Sequence, residues 1–189
     1  VVLQAMRAVL VSGAAVAVLG GVAAPAGAAP APAGDDPYKN TGLTKVYGKT
    51  GLCFSMDNSK KSKTAVKLRG CNKKSTTQRW NLLWVNANKP AERPRYVIQN
   101  RKSGKCLAPT SKKSGATVRQ YGCNKRSKTQ WWTLSDRRIT SYGGGKLVMS
   151  AQSDKKGKAI TLMKYSNKTA KLKKQAFALM WKKNDPTGL

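Results

Sequence analysis

A chain of 189 residues with 37 Lys and Arg against seven Asp and Glu carries a formal net charge of +30 and has no histidine. The missing histidine takes away the commonest general base and the commonest metal ligand. The length allows one domain of ordinary size with a short extension. The charge says little about fold, but it points to polyanionic partners.

In chain order, Met6-Arg7 opens an apolar, small-residue run to Ala24, followed by a Pro/Ala-rich stretch with an A-x-A site at Ala26-Gly27-Ala28. A charged start, a short apolar core and small residues at a cleavage site predict a secretory signal peptide over residues 1–28, with Val1–Ala5 as an upstream extension of a start at Met6. The run has no basic stop-transfer flank, so no integral membrane insertion is expected. Residues 29–43 read as a linker, Pro/Ala-rich to Tyr38, and 44–189 as the folded domain.

The domain repeats one pattern three times. The first copy reads G-L-C-F-S from Gly51, R-G-C-N-K from Arg69 and Q-R-W from Gln78; the second reads G-K-C-L-A from Gly104, Y-G-C-N-K from Tyr121 and Q-W-W from Gln130. The third is degraded: G-K-L-V-M from Gly145, a tyrosine at Tyr165 and Q-A-F from Gln175. Self-similarity at this period outranks local propensity in deciding a fold. Repeat one spans about 44–85, a Pro-bearing inserted loop fills Asn86–Arg95, repeat two spans 96–134 and repeat three 139–181. Repeat two shows the strands best, as Y-V-I-Q, K-C-L-A, T-V-R-Q-Y and Q-W-W-T-L separated by polar turns. Four short strands per repeat predict twelve. No window holds a helical period, apart from a possible turn within Ala170–Met180.

The four cysteines allow three pairings, and one of them respects the repeat: Cys53–Cys71 and Cys106–Cys123. In an exported chain these are expected as disulfides. Zinc is the rival reading, but C-x-x-C spacing and histidine are both missing. No metal or other cofactor is expected.

Two Q-x-W motifs, a third Q-x-F, and cysteine pairs in phase with them resemble the ricin-type lectin family, whose fold is the all-β β-trefoil. The resemblance covers about 140 residues. It implies that Trp80, Trp132 and Phe177 are core residues, and that Leu147 and Tyr165 replace the third cysteine pair. In galactose-binding members each pocket uses an aspartate two residues after the first cysteine. An aromatic two residues before the second cysteine stacks on the sugar, and an asparagine precedes the Q-x-W glutamine. Carried over, these positions hold Ser55, Arg69 and Thr77; Ala108, Tyr121 and Thr129; and Met149, Met163 and Lys174. The aspartate and the asparagine are gone from all three copies. A pocket built to hydrogen-bond hydroxyls loses heavily when its acceptor goes. Ser55 with nearby Asp57 leaves repeat one a weak acceptor set, Tyr121 keeps a stacking platform in repeat two, and repeat three reads as blank.

Lysines stand beside these vacancies. Lys60, Lys61 and Lys63, then Lys112 and Lys113, then Lys155, Lys156 and Lys158 fall in equivalent turns, with Lys61, Lys113 and Lys156 expected at equivalent rims. Lys73, Lys74, Lys125 and Arg126 support them from the turn after the second cysteine. Between Lys60 and Arg79 there are eight bases and no acid. The excess of lysine over arginine favours diffuse attraction to a polyanion over bidentate recognition. Trp131, the middle residue of its motif, is expected opposite Trp132 as a cap under a neighbouring loop, with an exposed stacking surface for a sugar or base as the alternative; Trp84 and Trp181 are expected to close the barrel.

The sequence therefore predicts a secreted, monomeric, non-enzymatic carbohydrate-binding module. Its expected partner is an acidic polysaccharide or other anionic cell-surface or cell-wall polymer, with non-specific nucleic acid as a further possibility. The alternatives are a galactose- or xylose-type lectin acting through Ser55, Asp57 and Tyr121, and a cationic antimicrobial protein, for which no amphipathic helix is evident.

Overall fold

Short β-prone runs between polar turns become twelve strands. They are β1 (Gly42–Lys45), β2 (Leu52–Ser55), β3 (Lys67–Gly70), β4 (Trp80–Trp84), β5 (Tyr96–Asn100), β6 (Cys106–Pro109), β7 (Val118–Tyr121), β8 (Trp131–Ser135), β9 (Arg138–Ser141), β10 (Val148–Ala151), β11 (Ile160–Met163) and β12 (Phe177–Met180). Among the described residues the one α-helix, α1, covers Thr169–Gln175, overlapping the region where the sequence allowed a helical turn. The computed structural model describes residues 41–45, 51–86, 88 and 91–180. The expected signal segment, most of the linker, Trp181 and the tail lie outside the described residues. The described residues belong to a unit spanning Gly34–Leu189. Thr41 to Leu43 are buried and bonded into the sheet, so the domain takes in the last residues of the segment read as linker.

The first and fourth strands of the three repeats close a ring. Antiparallel ladders join β12 to β1, β4 to β5 and β8 to β9. Within repeats the ring is completed by the Thr41–Trp80 bridge, by β5 against β8, and by the Phe177 N–H donating to the Arg137 carbonyl at 2.8 Å. Ring closure removes the exposed strand edges that promote aggregation.

The second and third strands pair as hairpins: β2 with β3, β6 with β7 and β10 with β11. They cap one end of the barrel through cyclically related bridges, Ala65–Arg119, Thr117–Thr161 and Lys67–Ala159. Each hairpin thus lies against the next repeat around the ring.

The core has the same threefold order. Trp80, Trp132 and Phe177 are wholly buried, as the resemblance implied, and Phe54, Leu107 and Met149 form a second layer. Trp80 Nε1 donates to the Phe54 carbonyl at 3.4 Å and Trp132 Nε1 to the Leu107 carbonyl at 3.1 Å. Phe177 has no such donor and instead meets Phe54 edge-on, with centroids 4.9 Å apart. Both expected disulfides are formed. Each closes a loop whose entropy in the unfolded chain corresponds to about 3 kcal/mol.

Pairing register corrects the reading of repeat three. Cys53 faces Arg69 and Cys106 faces Tyr121, whereas Val148, not Leu147, faces Met163. Lys146, in the left-handed region at φ 60°, is one extra residue after Gly145. The motif match G-K-L to G-K-C slipped by that residue. Val148 therefore stands where the other repeats have cysteine, and Ser150, not Met149, occupies the position of Ser55 and Ala108. Met149 is in the core instead.

One turn position shows a removable conflict. The N–H groups of Lys63, Gly115 and Gly157 donate to Gln120, Leu162 and Leu68 carbonyls at 2.7, 2.7 and 2.8 Å, and all three residues have positive φ. Glycine adopts this conformation without steric cost, whereas a side chain there costs about 1–2 kcal/mol. Lys63→Gly is expected to raise stability by up to about 1 kcal/mol after the added chain entropy of glycine, read as an increased denaturation midpoint.

Candidate functional site

Each repeat brings together a β2-type strand end, a β3-type strand end and the turn before its Q-x-W or Q-x-F. The glutamine of that motif fixes the arrangement. Gln78 accepts from the Asn72 N–H at 2.8 Å and donates to the Gly70 carbonyl at 2.8 Å. Gln130 does the same with Asn124 and Gly122 at 2.9 and 2.7 Å, and Gln175 with Ser166 and Lys164 at 3.1 and 2.8 Å. All three glutamines are buried. Their role was missed in the sequence, although their invariance across the copies was the available signal.

In repeat one the carried-over positions satisfy one another. Ser55 is 3% exposed, and its hydroxyl accepts the Asp57 N–H at 3.2 Å. Asp57 is held by Arg69 through paired bonds of 2.6 and 2.7 Å, with Lys67 Nζ at 3.5 Å. The arginine in the stacking position thus neutralises the acid nearest the vacancy. Bidentate pairs of this kind have fixed geometry. Arg79, the middle residue of its motif, donates to the Lys73 carbonyl. Its guanidinium pKa lies below the usual value, through partial burial first and the charge of Arg101 second.

Repeat two is open. Tyr121 borders a cavity of about 480 Å³ with Ala108, Thr110, Lys112, Thr129 and Gln130. Trp131 lies opposite Trp132, as strand alternation requires. Its indole donates to the Lys125 carbonyl at 2.7 Å, and its ring meets Tyr142 at 5.5 Å with Arg95 close to both rings. It is a loop cap, as expected. Trp84 is a correction: it is 42% exposed, its indole donating to Asn86 Oδ1 at 2.9 Å. It follows Trp80 and Leu82 on the same face of β4, but the strand runs past the packed interior.

Repeat three, read as blank, has its own cavity of about 280 Å³, lined by Ser150, Gln152, Met163, Lys164, Lys171, Lys174 and Gln175, with Ser114 from the neighbouring repeat. Tyr165, expected to pack where a cysteine was lost, is 45% exposed under the Arg138 guanidinium at 4.5 Å.

The basic turns hold the repeat symmetry closely. The backbone N–H groups of Lys61, Lys113 and Lys155 each donate to a serine hydroxyl two residues earlier, at 3.2, 3.4 and 3.3 Å. Lys155, rather than Lys156, is therefore the equivalent of Lys61 and Lys113. In the turns after the third strands, Lys74, Arg126 and Lys168 donate in the same way to Asn72, Asn124 and Ser166. Lys60, Lys61, Lys63, Lys112, Lys113, Lys155, Lys156, Lys158, Lys73, Lys74, Lys125 and Arg126 are all exposed.

Because the hairpins interlock cyclically, each basic tip lies against the next repeat's third strand. The first tip is pinned by Gln120, fully buried beside Tyr121, whose amide donates to the Ser59 and Lys61 carbonyls at 3.1 and 2.7 Å. The second places Ser114 Oγ 3.6 Å from Met163 Sδ. The third lays the Lys156 side chain beside Gly70 and brings Gly157 against Arg69. The Tyr121 cavity is lined by Lys112 of its own repeat, and the repeat-three cavity takes Ser114 from repeat two but its lysines from repeat three.

Among the described residues no cluster of three or more His, Cys, Asp or Glu side chains is placed to hold a metal ion. Among them, too, no helix is long and apolar enough to cross a membrane.

Residues 76–163 match the family model of the ricin-type beta-trefoil lectin domain-like proteins. Over these residues the chain is similar to that family, and its fold is the β-trefoil. No curated protein sequence matches it. Among solved structures, the designed threefold-symmetric protein ThreeFoil is similar at 20% identity and a TM-score of 0.61, over 74% of this chain and 96% of ThreeFoil. The exo-β-1,3-galactanase of Clostridium thermocellum is similar at 23% identity and a TM-score of 0.60, and the agglutinin of Abrus precatorius at 21% and 0.54. The matches cover 75% and 76% of this chain, but only 30% of the galactanase and 48% of the agglutinin. At these identities the likeness is one of fold. The domain shares their β-trefoil while its carried-over pocket positions hold Ser55, Ala108 and Ser150.

Proposed function

We propose that the chain is a secreted, non-enzymatic carbohydrate-binding module for acidic glycans or similar polyanionic cell-surface or cell-wall polymers. One observation carries this reading: three symmetry-equivalent lysine tips, at Lys61, Lys113 and Lys155, are exposed on hairpins that each meet the next repeat. The nearby acid of repeat one, Asp57, is already paired with Arg69. A neutral sugar would find no free carboxylate at the positions carried over from galactose-binding relatives, whereas an anionic polymer would meet positive charge in every repeat. Three weak sites on one rigid body gain affinity for a repeating polymer by raising the effective concentration of the second and third contacts.

The test is binding of a sulfated polysaccharide, a neutral galactan and single-stranded DNA, each at two salt concentrations. The sulfated polymer is expected to bind, and to weaken by at least about tenfold between about 50 and 200 mM salt as condensed counterions are released. Tight, salt-insensitive binding of the galactan would instead assign function to the Tyr121 cavity and sink the proposal. DNA bound more tightly than any polysaccharide would make the partner a nucleic acid.

A further inference from the structure

The third repeat differs from the other two in one local way. Where they have a three-residue 3-10 turn at Thr76–Gln78 or Lys128–Gln130, it has the seven-residue helix α1. The motif glutamine reaches back six residues in repeats one and two, but nine in repeat three. Three additional residues thus convert a tight turn into a helix, whose Lys171 and Lys174 are spaced to share a face. That face borders the cavity of about 280 Å³, which Lys164 also lines from the end of β11. No acidic residue lines this cavity. Ser150 is 2% exposed at its base, at the position of Ser55 and Ala108, and Gln152 adds an amide. Met163 supplies a polarizable apolar wall at the stacking position.

We propose that this cavity binds a single acidic sugar unit, a hexose ring bearing a carboxylate or a sulfate ester. The anionic group pairs with Lys171, Lys174 and Lys164, the hydroxyls meet Ser150 and Gln152, and the apolar ring face lies on Met163. The cavity is at the lower end of the ~300–1,000 Å³ range of ligand pockets, which suits one sugar rather than an oligosaccharide. Lysine ammonium groups holding an anion as point charges accept either anionic group. This deepens the acidic-glycan reading and rests on it: the hairpin tips attract the polymer, and repeat three selects the charged unit within it.

The test titrates the full chain with glucuronate, a sulfated galactose, galactose and inorganic sulfate, following the amide NMR signals of Ser150, Gln152 and Lys171. The expected result is that at least one acidic sugar shifts these signals, with galactose and inorganic sulfate weaker by about tenfold or more. Response to glucuronate alone assigns a carboxylate, and response to the sulfated sugar alone assigns a sulfate ester. Lys171→Ala with Lys174→Ala is expected to abolish the response while leaving most binding of a long sulfated polysaccharide. Lys61→Ala, Lys113→Ala and Lys155→Ala together are expected to do the reverse. Acidic sugars no better than galactose, inorganic sulfate as tight as the sulfated sugar, or an unchanged response in the double variant would each overturn the assignment. If polysaccharide binding survives such a result, only the pocket is lost; if it is absent as well, the acidic-glycan reading falls with it.

Discussion

Charge reversal at Lys61, Lys113 and Lys155 together is expected to lower affinity for a sulfated polysaccharide by about 100-fold at low salt, at roughly 1 kcal/mol for each basic residue beside an anionic surface. Each single reversal should cost several-fold, and the triple variant should have a shallower salt dependence because fewer counterions are displaced. Stability should change little. The bonds that shape these tips run from backbone N–H groups to Ser59, Ser111 and Ser153, and the lysine side chains are exposed. The measurement is affinity at two salt concentrations beside a thermal midpoint. An unchanged affinity in the triple variant with an intact midpoint would remove the tips from the binding surface.

Trp132→Ala is expected to destabilise the domain by about 3–5 kcal/mol, a large part of the 5–15 kcal/mol that holds a typical domain folded. The side chain is wholly buried, and its loss leaves both a cavity and a Leu107 carbonyl without its indole donor. Trp132→Phe should cost only about 1–2 kcal/mol, chiefly the lost hydrogen bond and a smaller void. Phe177 already occupies the equivalent place in repeat three. Denaturant unfolding of the two variants checks this, and equal costs would mean that the indole is not part of a shared threefold layer.

The fold was legible in the sequence because its signals are covalent or periodic. Cysteines in phase, motif aromatics and the strand pattern of repeat two each survive reading without a structure. Repeat three was less legible. A single inserted residue near Gly145 shifts the side chains of β10 to the other face of the strand, so Met149 stood in for Ser150. The three-residue insertion before Gln175 was not read from the sequence, and its effect, a helix with two lysines on one side of a cavity, depends on what α1 packs against. Trp84 failed as a barrel residue for a similar reason: alternation gives its face, not how far the packed interior extends.

The sequence by itself determined the threefold β-rich repeat, the cysteine pairing, the core aromatics and the lysines of each turn. These depend on residue identity and on separation along one chain. Only the tertiary structure decided which turn meets which cavity. The hairpins interlock cyclically, so a basic tip of one repeat meets the next repeat, an adjacency between residues about 60 apart, as in the Gln120–Ser59 contact. The β2–β3 hairpin paired Asp57 with Arg69, and the packing of α1 left its lysines facing a cavity without acids. No local pattern encodes which tip meets which repeat, because that follows from how three copies close into one ring.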